Sequence, residues 1–150
     1  MMRIPRLALS LALGAALVAG CDRSPLSPGE LAGRYVLVSV NGAPLPAVAL
    51  QSPDVTTEVL ADTFQLNADG TGLDSRLDRL TTHADGVTFE QRSSQAMTFR
   101  EAGGRLELVY HCSTDPSVLC LSVAPSTAER TADGLLVHMF EKDLAFRRID

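Results

Sequence analysis

Apolar and polar residues alternate over short runs along most of the chain, and turn dipeptides separate the runs. Leu106, Leu108 and Tyr110 share one parity; Arg105, Glu107 and His111 take the other, with Val109 as the exception. Val87 and Phe89 alternate with Thr88 and Glu90, as Met97 and Phe99 do with Thr98 and Arg100. Neighbouring side chains of a strand point to opposite faces, so this period gives each strand one apolar and one wet face, as in an antiparallel sheet. Asn41-Gly42, Asp69-Gly70, Asp85-Gly86, Gly103-Gly104 and Asp133-Gly134 interrupt the runs. Asn-Gly and Asp-Gly suit hairpins because both central residues of a type I′ turn need positive φ. The pattern predicts strands near 34–41, 57–67, 71–81, 86–92, 95–102, 105–112, 118–124, 134–141 and 144–149.

One segment carries two periods. Leu73, Leu77 and Leu80 are spaced i, i+4, i+7, a helical face, and the charged run between them would suit an exposed helix side. The segment follows the tight turn at Asp69-Gly70, which returns a strand, and a strand is the expectation. Eight or nine consecutive strands in one open meander would leave unprotected edges. The predicted fold class is therefore all-β, a single antiparallel meander closing into a barrel over residues 31–150. Tyr35, Phe64, Phe89, Phe99, Tyr110, Phe140 and Phe146 each fall in a different predicted strand. One large core side chain per strand is expected, since small barrels fill themselves; an aromatic-lined cavity is the alternative.

The first residues follow a different rule. Arg3 and Arg6 precede 13 uncharged residues, Leu7 to Ala19, too short to span a bilayer and right for the apolar stretch of a signal peptide. The stretch ends Leu17-Val18-Ala19-Gly20-Cys21, which resembles the lipobox of bacterial lipoproteins, with Val18 where Leu is commoner. The resemblance implies cleavage between Gly20 and Cys21 and a diacylglycerol on the Cys21 sulfur, the nucleophile that the lipid transfer needs. Several acyl chains, at about 0.8 kcal/mol per buried CH₂, then anchor the chain to a lipid bilayer. The implied organisation is a signal-peptide helix at 1–20, a Pro- and Ser-containing flexible tether at 21–30 and the barrel at 31–150. The implied location is the bacterial envelope, with the domain facing the periplasm or the exterior. Asp22 also resembles an inner-membrane retention signal of enterobacteria.

Composition narrows the chemistry. Thirteen basic against 18 acidic residues give a net charge of −5, and removal of residues 1–20 makes it −7, so nucleic acid is not an expected partner. With Cys21 lipidated, Cys112 and Cys120 remain as an even pair in an exported domain, which favours a disulfide. Asp115-Pro116 between them is turn chemistry, and closing the nine-residue loop would stabilise by about 2.5 kcal/mol. Two buried thiols or a redox pair are the alternatives, although the spacing is not CxxC. His83, His111 and His138 lack i, i+2 or i, i+4 spacing, so neither metal nor cofactor is expected. Gly-x-Ser-x-Gly, HExxH and phosphate-binding glycine loops are absent. Asp74 and Asp78 with Glu90 or Glu101 are a candidate acid pair, but with 18 acids a solvated face is the expectation. The chain is expected not to be an enzyme.

Leu31-Ala32-Gly33-Arg34-Tyr35-Val36-Leu37 resembles the first strand of lipocalin-like barrels, which begin Gly-x-Trp; Tyr35 replaces the Trp. The resemblance implies that a late-strand Arg packs across this aromatic and closes the barrel end. Arg148, sharing a face with Leu144 and Phe146, is the candidate, with Arg147 the alternate. Phe64 to Thr71 also resembles a hairpin common in bacterial lipocalin-like lipoproteins. Tyr35 to Gly42 resembles the opening of META-type envelope domains, but their Gly-Cys-Asn motif is missing. The first resemblance implies a monomeric protein that holds a small apolar or amphipathic ligand in or at the mouth of the barrel. The second implies a filled barrel contacting an envelope protein through its surface. Gly42 to Asp54, with three prolines, is expected to be a partner or lid segment, or a plug for the barrel.

Overall fold

Short alternating runs separated by left-handed turns have one favourable outcome, hairpins packed apolar side inward, and the chain follows it from end to end. The computed structural model describes residues 27–112 and 125–150. After a short helix α1 (Pro28–Leu31) come β1 (Gly33–Val40), β2 (Ala43–Pro44), β3 (Ala47–Gln51), β4 (Val55–Leu66) and β5 (Thr71–Thr82). They are followed by β6 (Thr88–Ala102), β7 (Arg105–Tyr110), β8 (Ser126–Arg130), β9 (Gly134–Met139) and β10 (Lys142–Arg148). Strands β4 to β10 pair in sequence, β10 pairs with β1, and β1 pairs with β4, all antiparallel. Eight strands thus close into an all-β meander barrel, and β2 and β3 are additional to it.

The seam between β1 and β4 explains the two short strands. Gly33 to Val36 pair with Thr63 to Leu66, and beyond Val36 the two strands separate. The β1 edge left open is covered by β2 through the Asn41-Gly42 turn, both residues having positive φ, and the β4 edge by β3. Gly42 to Asp54, expected as a partner or lid segment or a plug, thus holds the two short strands that edge this seam.

Other boundaries differ from expectation. The strands read at 86–92 and 95–102 are one strand, β6, because nothing at Ser93-Ser94 breaks an extended backbone. Its first half pairs with the far half of β5, which in turn pairs with β4, and the three form a flap beyond the barrel, where Phe89 is 47% exposed and Val87 is exposed as well. The β9–β10 turn falls at Phe140-Glu141, both at positive φ, two residues before the predicted place. Asp133-Gly134 is not the centre of a turn: Gly134 begins β9, where a Cβ would sit 2.0 Å from the Phe146 carbonyl oxygen. The strand β8 was not anticipated, and the one read at 118–124 lies outside the described residues, as do the signal-peptide segment 1–20 and Cys21. The ambiguous segment 73–80 is strand, part of β5.

The core continues along one side of the barrel to Val40, Val59 and Leu144 at the far end and is densest at the α1 end. Phe64 and Phe146 stack with centroids 4.1 Å apart, and Leu66, Met97, Phe99, Leu106, Leu108, Leu135 and Val137 pack around them. Five of the seven aromatics point inward, while Phe89 and Phe140 do not. At this end α1 closes the barrel and buries Leu31. Pro28 opens the helix and the Glu30 carboxylate accepts the Ser27 N–H at 2.8 Å, one half of a capping box. The helix begins inside the stretch read as tether.

Candidate functional site

The end opposite α1 is built from a reversed polarity. On β5 the inward positions are Gly72, Asp74, Arg76 and Asp78, and Leu73 between them is 44% exposed on the outside. Inward neighbours continue the polar lining: Asp62 on β4, Ser93 and Gln95 on β6, and Tyr110 on β7. Polar interior positions need partners, or a reason to lack them.

Asp62 is 3% exposed. Together with Asp74 on the next strand it forms a buried carboxyl pair. Burial first, and then the Asp74 charge, push Asp62 up to about 9. Burial likewise raises Asp74, opposed by its interactions with Asp62 and with the Arg76 guanidinium. Two carboxyls in one desolvated site cannot both ionise, so the pair holds a proton at neutral pH. Tyr110 is raised by burial and by the charge of Asp74. Among the described residues no N–H group donates to Asp62 Oδ1 or Asp74 Oδ1; the proton held by Asp62 and the Tyr110 hydroxyl are what Asp74 accepts from, and both oppose the rise of its pKa. Arg76, by contrast, is engaged: its Nε donates to both oxygens of Asp78, at 2.8 and 3.0 Å.

These groups border a cleft of about 260 Å³. Asp74, Arg76, Asp78, Gln95 and Tyr110 form its polar side, and Met139 and Phe140 its apolar side. Phe140 stands in the β9–β10 turn at φ +48° and is 67% exposed. A bulky residue in the left-handed region is uncommon, and such strain tends to collect where function needs a side chain in a given place.

The other residues singled out from the sequence lie elsewhere. Arg148 Cζ is 5.8 Å from the Tyr35 ring centroid, at the closed end. Arg148 Nη2 donates to the Ala32 carbonyl at 2.7 Å and the Tyr35 hydroxyl to that of Leu31 at 2.9 Å, so both residues hold α1 in the barrel end. Glu90 faces Arg79 on the flap, and Asp78 is paired with Arg76, so neither makes the acid pair considered from the sequence. Asp74 does belong to a pair, but with Asp62, which sequence reasoning missed. The signal was available: Asp62 shares parity with Phe64 and Leu66. The three histidines are dispersed, bonded to Thr56, Thr98 and Asp143. Among the described residues no three His, Cys, Asp or Glu side chains converge as a metal site. Cys112 follows β7, and Cys120 lies outside the described residues. No protein-family model, curated protein or solved structure matches the chain.

Proposed function

We propose that the chain is a lipoprotein of the bacterial envelope, tethered through acylated Cys21, whose lipocalin-like barrel binds a small amphipathic ligand at its mouth. The observation that carries this reading is the asymmetry of the interior. One end is plugged by α1 and packed with apolar side chains, while the other opens on a cleft with one polar and one apolar wall. Ligand sites have this composition: apolar walls supply affinity and a few converging polar groups fix orientation. The cleft is at the small end of such sites, so the ligand is small. The protein acts by binding and not by catalysis, as a monomer, with Cys112 and Cys120 paired as a disulfide on the exported side.

Native mass spectrometry of the protein purified from its own envelope tests the reading. A small molecule should accompany the parent and be lost when Met139→Trp fills the cleft. A parent that travels alone, and takes up nothing from an envelope extract, counts against it. The packed apolar core favours a second reading, an envelope interaction protein acting through its surface. In that case a protein, and no small molecule, would accompany the chain.

A further inference from the structure

We propose that the mouth site takes an organic cation, a primary ammonium group carrying a short apolar tail. The inference rests on the mouth of the barrel being a ligand site and adds the charge of the ligand. Three observations carry it. Asp62 Oδ1 and Asp74 Oδ1 are buried oxygens to which no N–H group of the described residues donates, so the shared proton and the Tyr110 hydroxyl are the donors this carboxyl pair has. A buried carboxylate needs donors, and a group that brings more of them than one proton does can take the proton's place. An ammonium brings three donors and no acceptor. Asp74 and Tyr110 line the cleft itself, and the fully buried Asp62 adjoins Asp74.

The second observation is electrostatic. Arg76 is the cation of the cleft, and Asp78 neutralises it in a two-oxygen contact at 2.8 and 3.0 Å. What remains is the Asp62–Asp74 pair, which would repel a carboxylate ligand. The third is the apolar wall. Met139 and Phe140 suit a short hydrocarbon tail, and an aromatic ring near an ammonium adds attraction. A metal cation fits less well, since no three ligating side chains converge among the described residues.

The ammonium replaces the proton that the carboxyl pair holds. Its N–H groups meet Asp74 and the Tyr110 hydroxyl at the cleft wall, Asp62 adds its charge from behind Asp74, and the displaced proton passes to solvent. The ionisable groups facing the pair are Arg76 and Asp78 from β5 and Tyr110 from β7; β6 presents only Ser93 and Gln95. Affinity therefore rises with pH between 6 and 8, by at most about tenfold per unit for one proton released.

Calorimetry on the full chain in a non-ionic detergent, with n-pentylammonium, n-pentanol and pentanoate as probes, tests the proposal. Pentylammonium should bind roughly tenfold or more tightly than either isostere, because its contacts are charge-assisted. The preference should vanish in Asp74→Asn and shrink in Tyr110→Phe, two near-isosteric variants whose folding is checked by circular dichroism. Pentanol or pentanoate binding as tightly as pentylammonium would overturn the cation while leaving a mouth site. An unchanged preference in both variants would overturn its location. Binding of none of the three probes would count against the cation and the mouth site together.

Discussion

Asp62 is the residue where folding and binding pull in different directions. Its carboxyl is raised from 3.8 in a solvated chain to about 9 in the folded one. Between those limits the native state holds a proton that the unfolded chain has released. Stability is then highest below the unfolded value and falls as pH rises toward the folded one. Asp62→Asn removes the titrating group, keeps the shape and can donate to Asp74. We expect the variant to be more stable than the parent at pH 8, with the gap narrowing toward pH 5 by up to about 1.4 kcal/mol per unit. Thermal denaturation of both proteins across this range checks it, and parallel stability curves would refute the raised carboxyl.

At the scale of elements, the strands that were legible are those whose apolar residues face the core. The run 105–112 gave β7 because Leu106 and Leu108 point inward and Arg105 and Glu107 outward. Strand β8 was not legible because its inward residues, Ser126 and Ala128, are small and no large apolar or aromatic residue marks it. The segment 71–82 looked half-helical because its apolar Leu73 is outside and its charges are inside, the inversion that makes the cleft. The β9–β10 turn was misplaced for a related reason: nothing in Phe140-Glu141 is turn chemistry. Both residues nevertheless adopt positive φ, at +48° and +62°. Asn tolerates this region far better than Phe, and the exposed Phe140 ring loses little packing on removal. Phe140→Asn should therefore stabilise the domain by about 1 kcal/mol and at the same time weaken pentylammonium binding. Melting temperature and calorimetry together check the two halves; a variant that is less stable, or that binds as before, would show the turn is not held open for the site.

For the whole molecule, the barrel was legible and the carboxyl pair was not, because the first follows from period alone and the second from register. Strand alternation says which side Asp62 and Asp74 take. Only the register of the β4–β5 hairpin, with Asp62 opposite Arg76 and Asp74 opposite Phe64, says that the two carboxyls meet. The closed end bears on the tether as well. Helix α1 is locked by Tyr35 and Arg148, so the chain leaves the barrel at the end opposite the cleft. A lipid attached at Cys21, six residues before the first described residue, would hold the molecule by its plugged end and turn the cleft away from the bilayer. The mature body, at −7, would be repelled by an anionic surface and would depend on the acyl chains for attachment. A variant exported behind an ordinary cleavable signal and starting at Asp22 should then leave the membrane pellet for the soluble fraction, lose incorporation of labelled palmitate and keep its affinity for pentylammonium. Retention of the variant in the pellet would mean that a surface of the barrel, and not the lipid, holds the protein to the membrane.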